Sequence, residues 1–212
     1  MIIGILSLTA FISAIIAIIF WQQYNIRMFA VFKSLTTILI IIMALIIHHN
    51  SASTYSITII YSLLASLIGD IFLINKKYFL YGLSCFFLAH IGFTIGFISL
   101  FGFSINVIAL AILMLIGILY FLFLLNDLRK HKVPVALYIS AIIVMNWQGI
   151  NLILHDQSFV YFGIAVATIL FSVSDSIIAF NKYNRSFKVA EILILSTYWI
   201  AIYIFTLAGL FI

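Results

Sequence analysis

The chain has 212 residues, of which 67% are hydrophobic and only 7% charged, and its formal net charge is +5. Soluble domains are nearer half apolar and a quarter charged, so this composition excludes a water-solvated globule and describes a chain solvated by lipid. The positive charge, which would suggest nucleic acid in a soluble protein, here reads as basic loops on one membrane face, and no nucleic-acid partner is expected.

A hydrocarbon core about 30 Å thick needs roughly 20 helical residues. Met1 leads directly into "IIGILSLTAFISAIIAIIF" without a basic n-region, which reads as an uncleaved first span at about 2–20. Further apolar runs follow at about 32–47, 57–74, 78–100, 105–125, 133–154, 158–180 and 190–211. The second run is the shortest, and Lys33 blurs its start. These runs are continuous rather than alternating, which excludes a closed β-barrel. The expectation is an all-α, polytopic membrane helix bundle of eight transmembrane helices, forming one domain over residues 1–212. The lone Cys85 lies in an apolar run, which excludes a disulfide framework and a Cys-based zinc site.

The joints carry the orientation. Arg27 and Lys33 flank the first, Lys76 and Lys77 fill the third, Arg129, Lys130 and Lys132 the fifth, and Lys182, Arg185 and Lys188 the seventh. The second, fourth and sixth contain no Lys or Arg, so all ten basic residues fall on one side. The positive-inside rule makes that side cytoplasmic and puts both the N- and C-termini on the non-cytoplasmic side. A short echo, "GDIFLINKKY" and "SDSIIAFNKYN", would suit a weak parallel repeat of a four-helix unit.

Ionisable groups at membrane depth are costly, roughly 2.5–3.5 kcal/mol on insertion scales, and usually face a bundle interior. Asp70 in "SLIGDIFLINKK" and Asp175 in "FSVSDSIIAFNKY" both qualify. Spans 3 and 7 run in the same direction, so the two carboxylates are expected at equal depth in the cytoplasmic half. A structural role beside a lysine or backbone amide is the plain alternative for each. Lys33 sits in a similar or shallower layer and can also be read as a snorkelling topology marker. His90, Asn146 and Gln148 lie nearer mid-membrane, whereas Asp127, Asp156 and Glu191 fall at helix ends. No G-x-S-x-G elbow, H-E-x-x-H pair or glycine-rich phosphate loop is present. Only His90 among the histidines is deep, so no metal site and no cofactor is assigned.

The stretches "LIGDIFL", "GLSCFFLAHIGF", "PVALYISAIIVM" and "FSVSDSIIAFNKY" resemble, in order and spacing, the motifs of the YhhN-type lysoplasmalogenase family. The resemblance runs from about residue 33 to 203. It implies a multi-pass membrane hydrolase that cleaves the vinyl ether bond of lysoplasmalogen to a fatty aldehyde and glycerophosphocholine or glycerophosphoethanolamine. Carried over by position, it implies Asp70 and Asp175 as the catalytic acids, with Lys33 and His90 beside the substrate. Three positions depart from the family pattern: Lys33 is followed by Ser34 rather than proline, Phe93 stands where a tyrosine is frequent, and Ile202 where a glutamine is.

Two buried acids suit that chemistry. Vinyl ether hydrolysis protonates the β-carbon and passes through an oxocarbenium ion, as glycosidases do with their carboxyl pairs. One carboxyl must deliver a proton while another stabilises the cation or activates water. Residue type alone leaves the assignment open; the working choice makes Asp175 the donor and Asp70 the stabiliser or base. Lys33 would meet the lysophospholipid phosphate, with His90, Tyr138 and Asn146 lining the pocket. The rival readings are a small proton- or cation-coupled transporter using the same acids, and a structural membrane protein. A bacterial inner membrane is the expected location.

Overall fold

The computed structural model describes residues 1–212 and is entirely helical. Its helices are α1 (Ile2–Gln22), α2 (Ile26–Asn50), α3 (Thr54–Leu73), α4 (Phe79–Phe101), α5 (Val107–Leu124), α6 (Lys132–His155), α7 (Phe159–Tyr183) and α8 (Ala190–Ala208). Single 3₁₀ turns at Lys76–Tyr78 and Arg129–His131 precede α4 and α6. All eight helices are long and apolar enough to cross a membrane, as the eight apolar runs predict. The protein is a multi-pass integral membrane protein.

The polar joints supply the helix starts. Asn25 accepts from the Met28 amide, Asn106 from the Ala109 amide, and Ser53 forms a reciprocal capping box with Ser56. Each side chain satisfies an amide that has no partner inside its own helix. Between α1 and α2 the chain reverses within three residues: the Asn25 amide reaches the Phe20 carbonyl at 3.0 Å and the Tyr24 amide reaches Trp21 at 3.0 Å. This closing motif requires a left-handed residue, and Tyr24 takes it at φ 59°.

The second span differs from its expected bounds. Instead of the shortest run, at 32–47, α2 is a 25-residue helix that includes Arg27, Lys33, His48 and His49. Hydropathy reports depth in lipid, not backbone conformation. Once Asn25 has capped the helix, polar residues continue it past both edges of the apolar layer. The shortest span is instead α5, with 18 residues.

The helices pack as two compact units, residues 1–96 with 205–212, and residues 97–204. In the first, α1 lies on α2 through a face of small side chains, Ala10, Ser13 and Ala17. Ser13 Oγ donates to the Phe32 carbonyl at 3.1 Å and accepts from Thr36 at 2.9 Å. Where α3 crosses α4, a Cβ added to either Gly69 or Gly82 would lie 3.3 Å from the other's carbonyl oxygen. Lipid supplies little drive for helix association, so close backbone approach at small residues does. Tyr55 Oη donates to the Phe205 carbonyl at 2.8 Å and anchors the end of α8 on α3.

In the second unit, the loop between α4 and α5 is tied to the side of α6. Gln148 accepts from the Ser104 amide at 3.2 Å and donates to its carbonyl at 3.1 Å. Asn151 donates to the same carbonyl at 2.9 Å, and Trp147 Nε1 to Asn106 at 2.9 Å. Loop backbone groups have no helical partners of their own, and these side chains satisfy them. At the opposite end, Leu124, Leu128 and Val135 form an apolar cluster with Tyr120, Ile139 and Tyr183 around it.

Candidate functional site

Asp70 sits on the last turns of α3, 2% exposed, immediately after the glycine that lets α4 approach. Its carboxylate is held from α2 by two residues one helical turn apart. Lys33 Nζ lies 3.3 Å from Oδ1, and Thr37 Oγ1 donates to Oδ2 at 3.0 Å. The ammonium also lies 5.9 Å from the centroid of the Phe29 ring, within cation–π range. Two opposite charges out of water are tolerated when they are paired and further hydrogen-bonded, and both conditions hold. Lys33 is 4% exposed, so it does not snorkel to the interface.

His90 is fully buried on α4, with Nδ1 2.6 Å from the Phe86 carbonyl. A carbonyl only accepts, so Nδ1 donates to it. The contacts of Gly69 with Phe86 and of Gly92 with Ser62 set the α3–α4 register and bring His90 alongside the 62–69 stretch of α3.

Asp175 lies on α7 in the second unit, 4% exposed. The buried Tyr138 hydroxyl, from α6, interacts electrostatically with it, and Tyr198 of α8 lies within electrostatic range of Tyr138. Next to Asp175, Ser174 Oγ donates to the Ile194 carbonyl at 3.0 Å and pins α7 to α8. Tyr198 in turn packs on Phe171, one turn earlier on α7, with ring centroids 5.4 Å apart. Asn146 does not join Asp175; its Nδ2 donates to Ser172 Oγ and to the Ile142 carbonyl.

The structure therefore groups the residues singled out from the sequence as Lys33 with Asp70, and Tyr138 with Asp175. Asn146 binds Ser172 on the same α7 helix, and Gln148 braces a loop. Sequence reading missed Thr37 and Tyr198. Thr37 had a usable signal, because it stands four residues after Lys33 and so shares its helix face. Tyr198 carried none, since one tyrosine in an apolar helix is unremarkable until its neighbours are known.

Residues 28–209 match the model of the YhhN family. The chain is 26% identical over 169 residues to the uncharacterized membrane protein YhhN of Escherichia coli, covering 79% of this chain and 77% of that one. The Shigella flexneri protein of the same name matches to the same extent. It is also 29% identical over 153 residues to the Rattus norvegicus protein named lysoplasmalogenase TMEM86B, covering 70% of this chain and 60% of the rat one. No solved structure is significantly similar to it. With the family match extending from the start of α2 to the end of α8, through both buried aspartates and their partners, the chain belongs to the YhhN family.

Proposed function

We propose that this protein is a lysoplasmalogenase-type hydrolase, acting on the vinyl ether bond of a single-chain ether phospholipid. One observation carries the reading. In a family that includes a relative named lysoplasmalogenase, two buried carboxyls each sit against a fixed polar side chain, Lys33 for Asp70 and Tyr138 for Asp175. Plain packing does not call for ionisable groups in hydrocarbon, whereas acid–base chemistry does.

The environments differ as the reaction requires. Lys33 and Thr37 counter-charge and orient Asp70, which suits a carboxylate facing a developing cation. Asp175 has a phenol as its partner and takes the part of proton donor to the vinyl β-carbon. The resulting oxocarbenium ion takes up water at the carbon bonded to oxygen, and the hemiacetal collapses to a fatty aldehyde and the glycerophospho-alcohol. The phosphate-binding role expected of Lys33 gives way here to that of counter-ion to Asp70. His90 and Asn146 remain proposed wall residues. The distribution of the basic joints favours termini on the non-cytoplasmic side of a bacterial inner membrane.

The test uses wild type, Asp70→Asn and Asp175→Asn, purified in detergent and incubated with lysoplasmalogen, with fatty aldehyde detected. Wild type should release aldehyde, and each variant should lose on the order of 10²-fold or more while remaining folded. A wild type that releases none overturns the reading; a carrier performs no chemistry in micelles. Turnover retained by either variant overturns the assigned roles.

A further inference from the structure

Several helical Ser and Thr residues in the first unit turn their hydroxyls back onto their own helix. Thr58 donates to the Thr54 carbonyl at 3.0 Å, Ser62 to Thr58 at 2.8 Å, and Thr94 to His90 at 2.8 Å. This is the usual resting place for a hydroxyl in an apolar helix. Ser66 departs from it. It is 0% exposed, and its Oγ has no hydrogen-bond partner in the protein. A buried hydroxyl without a partner is uncommon enough to require an explanation, and a small polar ligand is the usual one.

Position supplies that explanation. Ser66 stands four residues before Asp70 on α3, so the two side chains share a face one turn apart. Their Cβ atoms are then about 5–6 Å apart, yet the Ser66 hydroxyl makes no hydrogen bond to the carboxylate, and one water can bridge the two. Asp70 is held by Lys33 at Oδ1 and by Thr37 at Oδ2, which fixes the orientation of its carboxylate.

We propose that Ser66 and Asp70 together hold the nucleophilic water of the reaction, with Ser66 as a positioning residue. This rests on the proposed hydrolase function. After the vinyl β-carbon has taken a proton from Asp175, the water held by Ser66 forms its C–O bond to the oxocarbenium carbon and passes a proton to the Asp70 carboxylate. The neutral hemiacetal breaks its bond to the glycerol oxygen, its own hydroxyl proton ending on the leaving alcohol. Asp70 then gives up its proton to water and Asp175 regains one from water, which closes the cycle. Thr37 and Lys33 keep Asp70 aimed at the nucleophile throughout.

The experiment compares wild type with Ser66→Ala and the nearly isosteric Ser66→Cys, in detergent with lysoplasmalogen and a small fixed fraction of methanol. Methanol competes with water for the oxocarbenium ion, giving a mixed acetal in place of free aldehyde. In both variants kcat should fall about tenfold with KM within about twofold, since one hydrogen bond to the nucleophile is lost. The acetal share of product should rise at least about threefold, because the site no longer selects water by its hydrogen bonds. Thermal unfolding reports whether each variant is folded, and Ser66→Cys carries the test if the alanine variant is not. Unchanged kcat and unchanged product ratio overturn the inference. So does a fall in kcat without a change in product ratio, which marks a structural role only. Absence of aldehyde from wild type removes the hydrolase reading itself, and this inference with it.

Discussion

The Lys33–Asp70 pair gives the most demanding test of the energetics. Lys33→Met keeps the apolar stem and removes the ammonium, leaving the carboxylate buried without its counter-charge. The side chains are 5% and 2% exposed and their charged atoms 3.3 Å apart. At an effective dielectric of about 20 the lost attraction is about 5 kcal/mol. Breaking a buried pair at one end costs about 3–5 kcal/mol in measured cases, against about 0–1 kcal/mol for a surface pair. Lys33→Met should therefore lose about 3–5 kcal/mol in detergent-micelle unfolding. The double variant Lys33→Met/Asp70→Asn removes both charges and should recover to within about 1 kcal/mol of wild type, because the stranded charge is gone. It should remain inactive, separating stability from catalysis. A single variant as stable as wild type, or a double variant no more stable than the single, would refute the reasoning.

Two further predictions concern the frame around the acids. Gly69→Ala places a methyl 2.8 Å from the Phe86 ring and 3.3 Å from the Gly82 carbonyl. The ring can shift but the α4 backbone cannot easily do so, and stability should fall by about 1–3 kcal/mol, read by unfolding. Loss of turnover should accompany it, because the adjacent Asp70 moves with its helix. Gln148→Leu removes the side chain that both donates to and accepts from the Ser104 backbone. It should cost about 1–3 kcal/mol and increase amide exchange at Ser104, while KM for lysoplasmalogen stays unchanged; an altered KM with normal exchange would place Gln148 at the substrate instead.

Membrane immersion, the number of helices and the candidacy of Asp70 and Asp175 were all determined by the sequence. Each is a one-residue or one-segment property: a run of about 20 apolar residues must be helical in lipid, and a carboxyl inside such a run must find a polar environment. The Asn25, Ser53 and Asn106 caps are local in the same way, since a cap is decided within about four residues, and they emerged with the structure. The true length of α2 was not legible, because polar residues at a membrane edge are compatible with either helix or loop. Tertiary structure alone decided that Lys33 meets Asp70, that Thr37 completes its hold, that Tyr138 serves Asp175, and that Gln148 braces a loop. Those pairings depend on the rotation and register of one helix against the next. Lipid is as apolar as the side chains that face it, so hydropathy barely constrains rotation; close crossings such as Gly69 on Gly82 do.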